Sequence, residues 1–468
     1  MNIKFGTDGW RAVIAKDFTV ENVAKVTSAV SKWLLNKHSS PSVLIGYDCR
    51  FGGELFAETV AKVLAVNEIK VFISKSFVST PMLSLGVLKT KANFGIVITA
   101  SHNPPSDNGY KLKGHYGGPL LENEVKEIEA MIPEENEILI DSVNWNELVS
   151  SKKVVYVDLE TLYINHVTEH FDIKKIQNSK FNFAFDAMYG SGQNVIKRLF
   201  SNVKNIHCEL NPTFKGIAPE PLHKNLQEFS KLIERSNKID CGLAVDGDAD
   251  RIAMYDSKGN YIDSHHIILI IIHYLSAYKK LKGKVVTGFS STVKIEKLAS
   301  HYGLEVERVK IGFKDICKIM LTEDVLVGGE ESGGIAINSH MPERDGIWMG
   351  LIIWQFMVET GKSLSKIIQE IYKITGEFAF ERIDLKIDEH TKKVIIEKCK
   401  NGEFKSFGKF KVKKTDNLDG FKYYFSKNEW LMIRPSGTEP VLRIYSEAKT
   451  KDIVNEILQN CKNTIFKT

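Results

Sequence analysis

Short apolar runs alternate with longer amphipathic stretches along most of this chain. Residues 42–47 predict a strand, 55–66 a helix and 71–74 another strand. Ser79-Thr80-Pro81 then opens a helix with proline in its first turn. The run Phe94-Gly95-Ile96-Val97 predicts a buried strand ending at Ala100, and 107–111 a turn leading into a further strand. Strand, helix, strand at this spacing points to right-handed βαβ units and a mainly parallel sheet. The same rhythm returns at 181–186 and 241–245, and again at 284–289 and 306–311. A strongly apolar helix is expected over 347–357. From about residue 375 the pattern changes: 380–387 alternates like an edge strand, 430–433 and 442–445 read as strands, and 453–461 as a closing helix.

Residues near 133–152 are rich in Glu, Asn and Ser and mark a first linker. At 468 residues the chain is long enough for about three domains. Composition excludes more than it identifies. Lys+Arg 63 against Asp+Glu 58 leaves +5, too mild for a nucleic-acid partner, although local basic clusters could hold small phosphates. The longest apolar run, 267–272, falls far short of a membrane span, and the first residues carry no apolar signal core. Six scattered cysteines without a C-x-x-C pair suit buried thiols in a reducing cytosol, so the expected location is cytoplasmic.

Chemistry concentrates where predicted strands end. After 94–100 comes Ser101-His102-Asn103-Pro104. Pro104 pushes Asn103 toward extended backbone, so no helix starts at Ser101 and its hydroxyl is held on a loop. Open α/β sheets bind ligands at such carboxyl ends. After 241–245 comes Asp246-Gly247-Asp248-Ala249-Asp250-Arg251. In extended backbone, residues two apart share a side, so the aspartates converge and repel unless a cation sits among them. Hard oxygen ligands suit Mg²⁺. An EF-hand is excluded, because Arg251 and Ser257 occupy the positions that need Gly and Glu. Gly328-Gly329-Glu330-Glu331-Ser332-Gly333-Gly334 sets carboxylates and a hydroxyl in a bent loop suited to sugar hydroxyls. Arg434-Pro435-Ser436-Gly437-Thr438 offers a charged fork, hydroxyls and backbone donors to a phosphate. At the N-terminus, Phe5-Gly6-Thr7-Asp8-Gly9-Trp10-Arg11 adds another fork on Arg11.

FGTDGWR, TASHNP, DGDADR and GEESGG, closed by RPSGTEP, occur here in one order over essentially the whole chain. This resembles the α-D-phosphohexomutase family of phosphoglucomutases and phosphomannomutases. The resemblance implies an α/β fold: three related α/β domains with mixed, mainly parallel sheets and a smaller C-terminal α+β domain around a central cleft. The expected boundaries are 1–145, 146–256, 257–372 and 373–468. It implies that Ser101 is phosphorylated and, with Asp246, Asp248 and Asp250, binds one Mg²⁺. Arg11, Lys111 and Arg251 would stand near the reacting phosphate, with Lys111 as general acid/base and His102 orienting the serine. Lys314, Glu330 and Ser332 would bind the sugar, and Arg434, Ser436, Gly437 and Thr438 the non-reacting phosphate. The implied cycle passes a phosphoryl group through hexose 1,6-bisphosphate; glucose 1,6-bisphosphate is then activator and intermediate. The expected partner is a hexose phosphate, with no nucleic acid or membrane, in a monomer or homodimer.

Gly334 and Phe313 stand where dual-specificity members carry histidine, and Trp10 departs from the glucosamine enzymes. The resemblance therefore implies interconversion of glucose 1-phosphate and glucose 6-phosphate, with mannose or glucosamine phosphates as the alternative. Two other classes remain open: a phosphatase or kinase using an aspartate nucleophile, and a non-catalytic sugar-phosphate binder.

Overall fold

The computed structural model describes residues 3–436 and 441–466. Its first sheet runs, in spatial order, Trp10–Val13, Asp107–Gly114, Phe94–Ile98, Ser42–Tyr47, Lys70–Ser74 and Val154–Val157. The last four are mutually parallel; Asp107–Gly114 runs antiparallel to both of its neighbours. The predicted strands at 42–47 and 71–74 and the helix at 55–66 are all present, the helix as Gly53–Val66. Strand Phe94–Ile98 stops two residues before the expected end. Strand Val154–Val157 lies beyond the expected boundary at 145, so the first sheet reaches across the polar linker for its edge.

Two further sheets repeat the plan. One is ordered Tyr261–Ile262, Ile252–Asp256, Cys241–Val245, Phe183–Asp186, Lys204–Ile206, and the other Val306–Val309, Lys284–Gly288, Val325–Gly329, Ile335–Ile337. In each of the three sheets a parallel strand is followed by a loop and an antiparallel return. Phe94–Ile98 returns as Asp107–Gly114, Cys241–Val245 as Ile252–Asp256, and Val325–Gly329 as Ile335–Ile337. The serine, aspartate and glutamate loops are these three connections. The last sheet, Ala379–Lys386, Val441–Ala448, Trp430–Pro435, Phe421–Tyr424 and Lys414–Asp416, is wholly antiparallel.

The second and third sheets share one core. Helices Ser264–His273 and Gly346–Thr360 are apolar on nearly every side because both are buried within it. That accounts for the apolar run at 267–272, and among the described residues no helix is long and apolar enough to cross a membrane. All six cysteines are free and buried.

Candidate active site

Ser101 is 1% exposed and its backbone is left-handed, with φ +53°. Such a conformation persists only where surroundings over-determine it. Here Arg50 does so: its guanidinium donates to the carbonyl oxygens of Ser101 (2.6 Å), Asn103 (2.7 Å), Pro104 (2.7 Å) and Asp107 (3.0 Å). Asp48 lies 3.3 Å from Arg50 Nε and accepts from Thr99 Oγ1, whose oxygen in turn accepts from the Ser101 N–H at 2.9 Å.

The aspartate loop meets this serine directly. Ser101 Oγ donates to Asp246 Oδ2 at 2.8 Å. The backbones approach so closely that a Cβ on residue 247 would stand 2.5 Å from the Ser101 carbonyl oxygen, which is why glycine occupies it. Asp246, Asp248 and Asp250 are all fully buried, each with a carboxylate oxygen within 4.8 Å of the others. Burial, then the two neighbouring carboxylates, push Asp246 well above the usual range. Burial also raises Asp248, but Lys111 outweighs it and holds that carboxyl low. Lys111 Nζ donates to Asp248 Oδ2 at 2.7 Å and Asp250 Oδ2 at 3.0 Å, and contacts Asp8 Oδ2 at 2.8 Å. These anions overcome the cost of burial and keep the lysine protonated. Asp248 Oδ1 and Asp250 Oδ1 are buried without a hydrogen-bond partner. Orphaned hard oxygens beside a serine hydroxyl fit a divalent cation such as Mg²⁺.

A cleft of about 480 Å³ opens beside this buried group, bordered by its neighbours Asp8, His102 and Arg251. Arg11, His102 and Arg251 line it, as do Lys314, Glu330, Ser332, Arg434 and Ser436. His102 Nδ1 is 3.3 Å from Ser101 Oγ, a longer contact than the one to Asp246. Burial and the cations Arg251, Arg11 and Lys111 keep His102 neutral. Arg11 Nη1 donates to Asn103 Oδ1 at 2.7 Å. Arg251 Nη1 lies 3.4 Å from Glu220 Oε1. Lys314 stands in the first turn of helix Phe313–Met320, with Nζ 3.4 Å from the Gly6 carbonyl oxygen. Burial pushes Glu330 up to about 7, against the opposing pull of Arg344. Arg434 Nε donates to Asp419 Oδ1 at 3.1 Å. Gly437 and Thr438 lie outside the described residues.

Several residues in this cleft carried no assigned role in the sequence. Asp8 bridges Lys111, Arg11 and Arg344. Arg344 Nη2 reaches Asp8 Oδ2 and Asp250 Oδ2, both at 2.7 Å. Arg382 and Arg443 join Arg434 on the wall given by the last sheet. Asp8 sits in the FGTDGWR stretch, and Arg344 in the charged run Pro342-Glu343-Arg344-Asp345-Gly346 just before the apolar helix, but single arginines on strands carry no local signal.

Family models described as phosphoglucomutase/phosphomannomutase match in four parts: alpha/beta/alpha domain I at 2–138, domain II at 161–259, domain III at 263–374, and the C-terminal domain at 395–463. The chain is 29% identical to the phosphoglucosamine/phosphogalactosamine mutase of Sulfurisphaera tokodaii, covering 98% of each. It is 27% identical to the phosphoglucomutase/phosphomannomutase of Thermococcus kodakarensis, over 97% of this chain and 96% of the relative. Among solved structures, a "putative phosphomannomutase" from Thermus thermophilus superposes with a TM-score of 0.86 at 30% identity, covering 99% of each chain.

Proposed function

We propose that this chain, which belongs to the phosphoglucomutase/phosphomannomutase family of isomerases, interconverts glucose 1-phosphate and glucose 6-phosphate through a phosphorylated Ser101. The observation that carries the reading is the buried group beside the cleft: Ser101 Oγ 2.8 Å from Asp246, next to two carboxylates with orphaned oxygens. Phosphoryl transfer needs positioning and charge stabilisation above all. Asp246, Asp248 and Asp250 would hold Mg²⁺, which when bound neutralises charge on the transferring phosphate.

The chain's own residues supply the rest. Arg11 and Arg251 border the space above Ser101 and offer forks to the transferring phosphoryl oxygens. Lys111, held protonated, can donate to the oxygen that leaves. Glu330 and Ser332 face the ring hydroxyls, and Arg434 and Ser436 the phosphate at the far end. The sugar then turns over as its 1,6-bisphosphate, and the second phosphate returns to Ser101.

The second reading is glucosamine 1-phosphate as substrate, favoured by the resemblance to the Sulfurisphaera enzyme. Gly334 weighs less toward glucose than its sequence suggests. A Cβ there would collide with the Arg344 side chain, so glycine serves packing at that point. Phe313 does line the cleft, beneath Arg344. Purified protein should be assayed with Mg²⁺ and bisphosphate on glucose, mannose, glucosamine and N-acetylglucosamine 1-phosphates. The largest kcat/KM on glucose 1-phosphate supports the first reading and on glucosamine 1-phosphate the second; no turnover of any overturns both.

A further inference from the structure

Outside the cleft, helix Leu159–His170 carries another group of metal-ligating side chains. His166, Glu169 and His170 each place a donor atom within 4.8 Å of the others. Residues three and four apart share one face of a helix. In neutral rings, the form in which imidazole binds a metal, the hydrogen bonds around them decide which nitrogens bear protons. His170 Nδ1 is 2.8 Å from the His166 carbonyl oxygen, which can only accept, so His170 Nε2 is a bare lone pair. His340 Nε2 donates to Asp345 Oδ2 at 2.9 Å, leaving His340 Nδ1 as an acceptor. His166 Nε2 lies 3.3 Å from that Nδ1, and between neutral rings it is the donor. His166 Nδ1 is left as a second bare lone pair. It is buried with no hydrogen-bond partner, on a residue only 8% exposed.

We propose that His166 Nδ1, His170 Nε2 and the Glu169 carboxylate form a site for one zinc-class transition-metal ion, oriented from behind by Asp345 and His340. A carboxylate–histidine relay behind a ligating imidazole is how metal sites set ring orientation and tautomer. Two imidazoles and one carboxylate suit Zn²⁺, leaving a fourth position for water, whereas Mg²⁺ prefers the all-oxygen aspartate loop. Zinc bonds of about 2.0–2.2 Å require the ligand atoms, now within 4.8 Å of one another, to draw together. Glu169 and His170 are exposed and can rotate inward. The relay ends at Asp345, which caps helix Gly346–Thr360 and follows Arg344 of the cleft, so a bound ion braces that segment.

The test uses the full chain, stripped of metal and returned to buffer with excess Mg²⁺, titrated with Zn²⁺ by calorimetry and by thermal denaturation. We expect one equivalent of Zn²⁺ to bind and the melting midpoint to rise. His170→Ala and Glu169→Ala, both at exposed positions, should weaken binding by about tenfold or more and abolish the rise. Their Mg²⁺-dependent mutase activity should match the parent. Asp248→Ala should keep the Zn²⁺ equivalent. Absence of Zn²⁺ binding, an equivalent untouched by His170→Ala, or one lost in Asp248→Ala would each overturn the site.

Discussion

The Arg50 guanidinium donates to the carbonyl oxygen of Ser101 at 2.6 Å, and the same group gathers three more carbonyls of the serine loop. Arg50 is a positioning residue, since it holds the backbone that presents Oγ without facing the cleft. Its removal also strands Asp48, which burial already lifts to about 6 against the pull of Arg50. Breaking a buried ion pair by removing one partner costs about 3–5 kcal/mol. Arg50→Met should therefore lower the melting midpoint and slow phosphorylation of Ser101 by roughly 100-fold, the scale of a misplacement near 1 Å. Substrate KM should move little. An Arg50→Met enzyme that loads phosphate at the parental rate would contradict this role.

Ser101 should carry phosphate in the resting enzyme. A free serine hydroxyl is a weak nucleophile, and prior phosphorylation makes it a donor. Intact-mass measurement should show a labile phosphate that disappears in Ser101→Ala, together with the activity. Labelled phosphate found on an aspartate instead would point to an aspartyl-phosphate enzyme.

The aspartate loop predicts a dependence on divalent cations. EDTA should abolish turnover and Mg²⁺ should restore it. Asp248→Ala should lose activity yet stay folded, because relief of repulsion among three buried carboxylates offsets the lost contact to Lys111. Full activity in excess EDTA would rule out metal-assisted transfer.

Much of this site was legible because its motifs are contiguous. The turn after Phe94–Ile98 and the one after Cys241–Val245 each carry their chemistry within six residues of a strand end, and strand ends are what hydrophobic patterning marks best. The pairing of Ser101 with Asp246 spans 145 positions and has no local trace. Neither do the pairings of Arg344 with Asp8 and Asp250, which come from two other loops. Arg50 follows a strand within Asp48-Cys49-Arg50, a charged pair at a carboxyl end, but its acceptors are backbone oxygens, which look alike in every sequence. The edge strand Val154–Val157 joins the first sheet from beyond the linker, which the sequence does not reveal, because a polar stretch signals exposure and not the end of a sheet.

Glu330 gives the site a dependence on pH. Burial lifts its carboxyl from 4.5 to about 7. Between those values the folded state holds a proton that the unfolded state releases, so stability falls as pH rises through this window and levels off above it. Glu330→Gln removes the titration. The melting midpoint of Glu330→Gln, relative to the parent, should rise between pH 5 and pH 8. A constant difference across that range would show that the carboxyl titrates normally.

Glu330 also allows a test of how the sugar is gripped. A mutase must hold its sugar twice, turned end for end, over one serine. A side chain that holds hydroxyls midway along the ring serves both poses, whereas one that reads a single end serves only one. Glu330 lines the same cleft as Arg251 and the arginines of the last sheet, on a loop bounded by glycines. Losing a hydrogen bond to a charged group costs about 1.5–3 kcal/mol, which is roughly 10- to 150-fold in rate. Glu330→Ala should thus slow phosphoryl transfer from phospho-Ser101 to glucose 1-phosphate and to glucose 6-phosphate by similar factors. Steady-state rates cannot separate the two, because the equilibrium constant ties forward and reverse kcat/KM together. Single turnovers of the phosphoenzyme follow each half-reaction alone. If one falls about tenfold further than the other, Glu330 reads one end of the sugar, and the central grip is wrong.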